Sequence, residues 1–129
     1  MNYSTIKKVL IVDDETDVLI YLETLLQDNG FETITASDGV QALKIAENEK
    51  PDLITLDITM PEQSGIQTYR YIKSNQKLRA IPVVIITAMG ESIRHVLNKL
   101  AGFPEPEGFM SKPVAQTELV EMISELVVS

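Results

Sequence analysis

Short apolar runs recur along this chain and restrict its fold more than any other feature of the sequence. They are rich in β-branched residues, and longer segments with helical spacing of apolar residues separate them. Such runs indicate strands, and strands that are apolar at every position are typical of a parallel sheet covered on both faces. The predicted strands are residues 9–12, 33–36, 53–56, 83–87 and 109–110.

The segments between the strands predict helices. Val18, Leu22 and Leu26 form one apolar stripe, and Asp38 with Gln41 three residues later resembles a capping box at the start of another. Alternating strands and helices predict an α/β fold in which a five-stranded parallel sheet is doubly wound between five helices in three layers. The five predicted apolar stripes are residues 18–26, 42–46, 66–72, 93–100 and 119–126.

Composition limits the function classes. With 129 residues the chain is expected to form one domain, residues 1–129. A net charge of −8 argues against direct nucleic-acid binding, and the basic cluster around Arg70, Lys73, Lys77 and Arg79 is interpreted as a solvated helix end. The absence of Cys excludes a disulfide or thiolate site. No apolar run approaches the roughly 20 residues of a membrane span, so we expect a cytoplasmic protein.

The polar residues that end the predicted strands carry the functional signal. In doubly wound sheets, ligands bind beyond the carboxyl ends of the strands. Three of the predicted strands end in charged residues and one in a hydroxyl. These residues are Asp13 and Asp14, then Asp57, Thr87 and Lys112.

Carboxylates gathered at one sheet edge repel one another unless one takes up a proton or a cation lies among them. Oxygen ligands without Cys or His favour Mg²⁺. The acidic turn Asp13-Asp14-Glu15 disfavours a phosphate resting directly on it, because a phosphate-binding turn is glycine-rich and avoids acids. The alternative for Asp14 and Glu15 is N-terminal helix capping.

Asp57 follows a predicted buried strand, where its carboxylate can attack phosphorus and form an aspartyl phosphate. Phosphoryl transfer requires mainly positioning and neutralisation of the phosphoryl oxygens. Mg²⁺ and Lys112 would supply the neutralisation, and the Thr87 hydroxyl a further donor. Taken singly, Thr87 is equally an ordinary strand residue and Lys112 a solvated side chain.

Over essentially its full length the chain resembles a response-regulator receiver domain. The matching stretches, in order, are VLIVDDE, ASDGVQAL, PDLITLDITMP with Gly65 following, VVIITA and GFMSKP. The resemblance implies a flavodoxin-like fold and an aspartyl-phosphate switch dependent on Mg²⁺, with a cis Lys112–Pro113 peptide bond. It implies that Asp57 is the phosphoacceptor, that Lys112 is the cation contacting the phosphate, and that Thr87 and Phe109 are the switch hydroxyl and the switch aromatic. It also implies that the metal is held by Asp14, Asp57 and the backbone carbonyl of Thr59, and through water by Asp13.

The stretch LAGFPEPEGF departs from the family pattern, in which a short Gly-Ala-containing turn precedes the last strand. Its two prolines predict that the fourth helix ends near Leu100. Phe103 either anchors this loop to the body or is exposed to a partner. Thr59 and Met89 lie where family members tune attack by water, and Met89 predicts slow self-hydrolysis. His95 is interpreted as a surface residue.

The resemblance implies a signalling module that is not an enzyme acting on a separate substrate. Its partners would be a sensor histidine kinase or phosphotransfer protein and a downstream protein or effector domain. Output would pass through the fourth helix, fifth strand and fifth helix, and the chain would be a monomer or weak dimer. The alternatives are a receiver-like interaction domain that acts without phosphorylation and a hydrolase with Asp57 as nucleophile; the latter needs a second acid that Thr59 does not supply.

Overall fold

Five parallel strands form one sheet in the computed structural model, which describes residues 6–60, 64–88, 98 and 100–128. The strand order is β2-β1-β3-β4-β5, so the order reverses between β1 and β3. The predicted parallel sheet is confirmed, with each predicted strand extended by at most two residues. The strands are β1 (Lys8–Val12), β2 (Glu32–Ala36), β3 (Leu53–Asp57), β4 (Val83–Thr87) and β5 (Gly108–Ser111).

Helices cover both faces of the sheet. Those described are α1 (Thr16–Asp28), α2 (Gly39–Glu49), α3 (Ser64–Ser74) and α4 (Gln116–Leu126), and α4 is the fifth of the predicted helices. The fourth predicted helix lies outside the described residues, apart from Asn98 and Leu100. None of the helices within the described ranges is both long and apolar enough to cross a membrane.

Alternation along the strands divides the core into two layers. Leu10, Ile54 and Ile85 point towards α2 and α3, whereas Ile11, Leu53 and Ile86 point towards α1 and α4. All positions of β3 and β4 are buried, as expected for central strands of a parallel sheet. Two layers of apolar contacts therefore hold the carboxyl ends of β1, β3 and β4 at one edge.

Local signals set the helix ends. The Asp38 side chain accepts a hydrogen bond from the Gln41 backbone N–H at 2.8 Å, which confirms the predicted cap of α2. The Gln41 side chain in turn accepts from the Ser37 backbone N–H at 3.1 Å. Gly30, two residues beyond α1, has a φ of +89°, a conformation that glycine adopts without strain.

The loop before β5 is folded onto the body. Phe103 is half-buried and packs against the core layer on the α2–α3 side. Of the two alternatives for Phe103, the structure therefore supports the anchor. Lys73 is buried and paired with Glu107, so the interpretation of the basic cluster as a fully solvated helix end is wrong for Lys73.

Candidate functional site

The sheet brings Asp13 and Asp57 to the same edge. Val12 pairs with Leu56 in the parallel register of β1 and β3. Asp13, the first residue after β1, and Asp57, the last residue of β3, therefore lie side by side where the strand order reverses. Both side chains are buried, at 2% exposed. Two acidic groups removed from water require charge compensation nearby.

Asp14 and Glu15 complete the acidic group. Together with Asp13 and Asp57 they offer four carboxylate oxygens that lie within 4.8 Å of one another. Asp14 and Glu15 are exposed, so the group is open to solvent on one side. A donor set of carboxylate oxygens alone fits Mg²⁺, which prefers hard oxygen ligands and retains part of its water shell.

Lys112 compensates the buried carboxylates. Its Nζ lies 3.1 Å from Asp13 Oδ2, 3.2 Å from Glu15 Oε1 and 3.4 Å from Asp57 Oδ2. Burial disfavours the charged lysine, but the hydrogen bond to Asp13 and the charge of Asp57 outweigh it and raise the pKa of Lys112. Lys112 is therefore a cation shared by three carboxylates and not a solvated side chain.

The backbone around Lys112 fixes where its side chain starts. Its N–H donates to the Thr87 carbonyl at 2.8 Å, which continues the register of β4 and β5 by one residue. The Lys112–Pro113 peptide bond is cis, as predicted from the resemblance.

Asp57 is held by hydrogen bonds at both carboxylate oxygens. The backbone N–H of Thr59 donates to Asp57 Oδ1 at 2.9 Å, and the Thr59 hydroxyl donates to the same oxygen at 2.5 Å. Oδ2 faces the Lys112 ammonium. These bonds fix the orientation of the carboxylate, with one oxygen directed to the loop after β3 and the other to the acidic group.

Thr87 and Phe109 lie on the strands next to this group. Asp57 pairs with Ile86 in the register, so Thr87 follows one residue further along β4, and it is buried at 2% exposed. Phe109 is half-buried on β5, pairs with Ile85, and packs against the core layer on the α2–α3 side. Met89 and His95 lie outside the described residues.

Glu15 and the Thr59 hydroxyl contribute contacts that the sequence did not predict. Glu15 occupies the N-cap position of α1, but its side chain makes no capping hydrogen bond. Its carboxylate contacts Lys112, and its backbone N–H donates to Asp13 Oδ1 at 2.9 Å. Capping is therefore wrong for Glu15, and the run of three acids is the sequence signal from which the cation contact could have been predicted.

Known proteins share the fold of this chain. The family described as the response regulator receiver domain matches residues 9–124. The chain belongs to that family. Among curated relatives, the polar-differentiation response regulator DivK of Brucella anthropi is 33% identical over 117 residues, which cover 91% of this chain and 93% of that protein.

Another relative is longer than this receiver domain. The alkaline phosphatase synthesis transcriptional regulatory protein PhoP of Bacillus subtilis (strain 168) is 41% identical over 113 residues. The match covers 88% of this chain but only 45% of PhoP. The chain thus spans about half the length of that regulator and nearly the full length of DivK.

Solved structures of response regulators have the same fold as this chain. The chemotaxis response regulator CheY4 of Vibrio cholerae superposes with a TM-score of 0.81 at 27% identity, covering 95% of this chain and 99% of CheY4. A putative response regulator from Chloroflexus aurantiacus has a TM-score of 0.84 at 25% identity, covering 95% of this chain and 98% of that one. The chain is therefore a receiver domain of two-component signalling.

The acidic group makes the stability of this receiver domain dependent on pH. Burial raises the pKa of Asp13 to about 6; the hydrogen bond from the Glu15 N–H opposes this shift and the charge of Asp57 adds to it. The folded chain therefore holds a proton on Asp13 between about pH 4 and pH 6 that the unfolded chain has released. The contribution of Asp13 to the unfolding free energy falls over this range as pH rises, on the order of 2 kcal/mol without added metal.

Urea denaturation of the parent and Asp13→Asn from pH 4 to pH 7.5 measures this contribution. The variant should gain stability relative to the parent as pH rises from about 4 to about 6, and the difference should stay constant above that range. Asp28→Asn, on the exposed end of α1, is the control for an Asp-to-Asn exchange outside the acidic group. A parallel course for the parent and Asp13→Asn would contradict the raised pKa.

Proposed function

We propose that this receiver domain is a phosphorylation-controlled switch in which Asp57 accepts a phosphoryl group. The observation that carries the proposal is the buried Asp57 carboxylate at the end of β3, with Asp13 beside it and the Lys112 ammonium 3.4 Å away. A nucleophile held next to a fixed cation is the arrangement that phosphoryl transfer requires. The donor would be a phosphohistidine of a sensor kinase or phosphotransfer protein.

The transfer is a displacement at phosphorus. An Asp57 carboxylate oxygen forms a bond to phosphorus while the phosphorus–nitrogen bond to the donor histidine breaks, and the leaving imidazole takes up a proton. Lys112 neutralises charge on the phosphoryl oxygens, and the Thr87 hydroxyl donates a hydrogen bond to one of them. Each charge-assisted contact is worth about 1.5–3 kcal/mol.

Mg²⁺ would neutralise the transferred group and the carboxylates around it. Asp14, Asp57 and the backbone carbonyl of Thr59 would hold the ion directly, and Asp13 through water. Lys112 contacts two of these carboxylates, so in the loaded site the ammonium would turn from the carboxylates towards the phosphoryl group. Lys112 also contacts Glu15 at 3.2 Å, and this contact would be retained in the loaded site.

The output would pass through the fourth predicted helix, β5 and α4. A hydrogen bond from Thr87 to the phosphoryl group would draw that side chain towards Asp57, and the half-buried Phe109 ring would turn into the space left behind. A downstream protein or effector domain would bind the changed face. The domain would act in the cytoplasm as a monomer or weak dimer and would process only its own phosphoryl group, so it is not an enzyme with a separate substrate.

Intact-protein mass spectrometry after incubation with acetyl phosphate tests the proposal. The parent chain should gain one phosphoryl group in the presence of Mg²⁺ and none in its absence. Asp57→Asn should gain none, whereas the control Asp28→Asn should behave as the parent. Absence of an adduct under every condition would contradict the proposal and favour a receiver-like interaction domain that acts unmodified.

A further inference from the structure

A buried lysine outside the acidic group joins α3 to the loop before β5. The Lys73 side chain, in the last turn of α3, is only 1% exposed. Its Nζ lies 3.0 and 3.1 Å from the two carboxylate oxygens of Glu107 and donates to the Ile81 carbonyl at 3.2 Å. A lysine is rarely buried unless it is paired, so this contact fixes the position of Glu107.

Glu107 also connects to the sheet. Its Oε1 accepts a hydrogen bond at 2.7 Å from the backbone N–H of Val83, the first residue of β4. Glu107 immediately precedes β5. One carboxylate therefore holds together the end of α3, the start of β4 and the entry to β5.

Two further α3 residues contact the same loop. The Tyr69 hydroxyl donates to the Pro104 carbonyl at 2.5 Å, and the Arg70 guanidinium lies 5.5 Å from the centre of the Phe103 ring. Phe103 in turn packs on the core. We call this set the α3 latch: Tyr69, Arg70 and Lys73 on α3 with Phe103, Pro104 and Glu107 on the loop.

The other end of α3 lies against the backbone of the proposed phosphoacceptor. A Cβ placed on Gly65 would lie 2.4 Å from Ile58 Cα and 2.6 Å from the Asp57 carbonyl oxygen. There is therefore no room for a side chain at Gly65 between the first turn of α3 and the end of β3. A helix of 11 residues, about 16 Å long, contacts Asp57 at one end and the loop before β5 at the other.

We propose that α3 couples phosphorylation of Asp57 to the loop before β5 by way of the α3 latch, in parallel with Thr87 and Phe109. The inference rests on the proposed function. The latch holds the loop in the position of the unmodified chain, and a shift of the Asp57–Ile58 backbone on phosphorylation displaces α3 and loosens the latch. The loop leads from the fourth predicted helix into β5, so its release alters the proposed output face.

Reciprocity gives the proposal a measurable consequence. If occupation of Asp57 weakens the latch, then weakening the latch must strengthen binding at Asp57 by the same factor. The conservative changes are Tyr69→Phe, which removes only the hydroxyl, and Glu107→Gln, which removes the charge opposite Lys73. Lys77→Met is the matched control for Lys73→Met, because Lys77 lies just beyond α3 and is exposed.

The probe is beryllofluoride with Mg²⁺, which mimics a phosphoryl group on a carboxylate, and binding is measured by isothermal titration calorimetry. Tyr69→Phe, Glu107→Gln and Lys73→Met should each bind the probe about fivefold more tightly than the parent, and Lys77→Met should equal the parent. Hydrogen exchange should be faster at the non-proline residues among 101–107 when the probe is bound, including the Phe103 N–H that donates to Leu100 O.

Unchanged or weaker binding by Tyr69→Phe and Glu107→Gln, with normal binding by the parent, would overturn the coupling and leave the proposed function intact. A parent that neither binds beryllofluoride nor forms an adduct with acetyl phosphate would overturn both. Tyr69→Phe preserves the shape of the buried ring, so its result decides the question even where Lys73→Met is too unstable to assay.

Discussion

Replacing Lys112 with Met is expected to lower the rate of phosphorylation of Asp57 by acetyl phosphate about a hundredfold, because loss of one preorganised charge contact costs that order of rate. The same change should destabilise the metal-free chain at pH 8 by about 3 kcal/mol. The ammonium is the cation shared by Asp13, Glu15 and Asp57, and without it two buried carboxylates face each other.

The two consequences of Lys112→Met should respond differently to Mg²⁺. A divalent ion among the carboxylates compensates their charge, so millimolar Mg²⁺ should recover most of the lost stability in a thermal melt. It should not recover the phosphorylation rate, because the contact to the phosphoryl oxygens is still missing. Lys112→Arg keeps the charge and should retain parental stability. A variant that phosphorylates at the parental rate would remove Lys112 from the proposed mechanism.

The sheet and its functional edge could be predicted from the sequence because both depend on local patterns. Runs such as residues 83–86 are apolar at every position, which is typical of a strand covered on both faces. Once the strands are parallel, the residues that end them must lie at one edge, so Asp13, Asp57 and Lys112 meet by topology. The capping pair Asp38 and Gln41 was equally local.

The latch could not be predicted, because its members are distant in sequence. Lys73 and Glu107 are separated by 34 residues, and nothing near either residue indicates burial. From the sequence alone, a lysine in the last turn of a helix and close to other basic residues is predicted to be exposed to solvent. Only the fold of the proline-containing loop brings Glu107 over α3, and the loop is where this chain departs from its family pattern.

The side-chain contacts within the acidic group also could not be predicted from the spacing of residues in the sequence. Glu15 follows two aspartates and precedes a helix, so capping and cation binding were both compatible with the sequence. The direction of its side chain decides between them, and that direction depends on the position of Lys112, 97 residues later. Similarly, the Thr59 hydroxyl bond to Asp57 depends on the turn after β3.

Replacing Gly65 with Ala is expected to destabilise the chain by about 2 kcal/mol and to slow phosphorylation of Asp57. Within most helices, exchange of Gly for Ala stabilises by about 0.5–1 kcal/mol. Here the new methyl group would lie 2.4 Å from Ile58 Cα and 2.6 Å from the Asp57 carbonyl oxygen. These backbone atoms belong to the last residue of β3 and the residue after it, and they cannot rotate away as a side chain can. Either α3 or the end of β3 must therefore move, and overpacking of this kind costs about 1–3 kcal/mol.

Gly108→Ala provides the matched control, because its new methyl group would meet a side chain instead of backbone. The nearest atom is Met122 Sδ at 2.6 Å, and a methionine side chain has three rotatable bonds with which to move aside. Urea denaturation should therefore show a cost below about 1 kcal/mol for Gly108→Ala and an unchanged rate of phosphorylation. Equal losses of unfolding free energy in the two variants would mean that the backbone between β3 and α3 moves aside as readily as the Met122 side chain. A shift of the Asp57 backbone would then be absorbed there, and α3 could not transmit it.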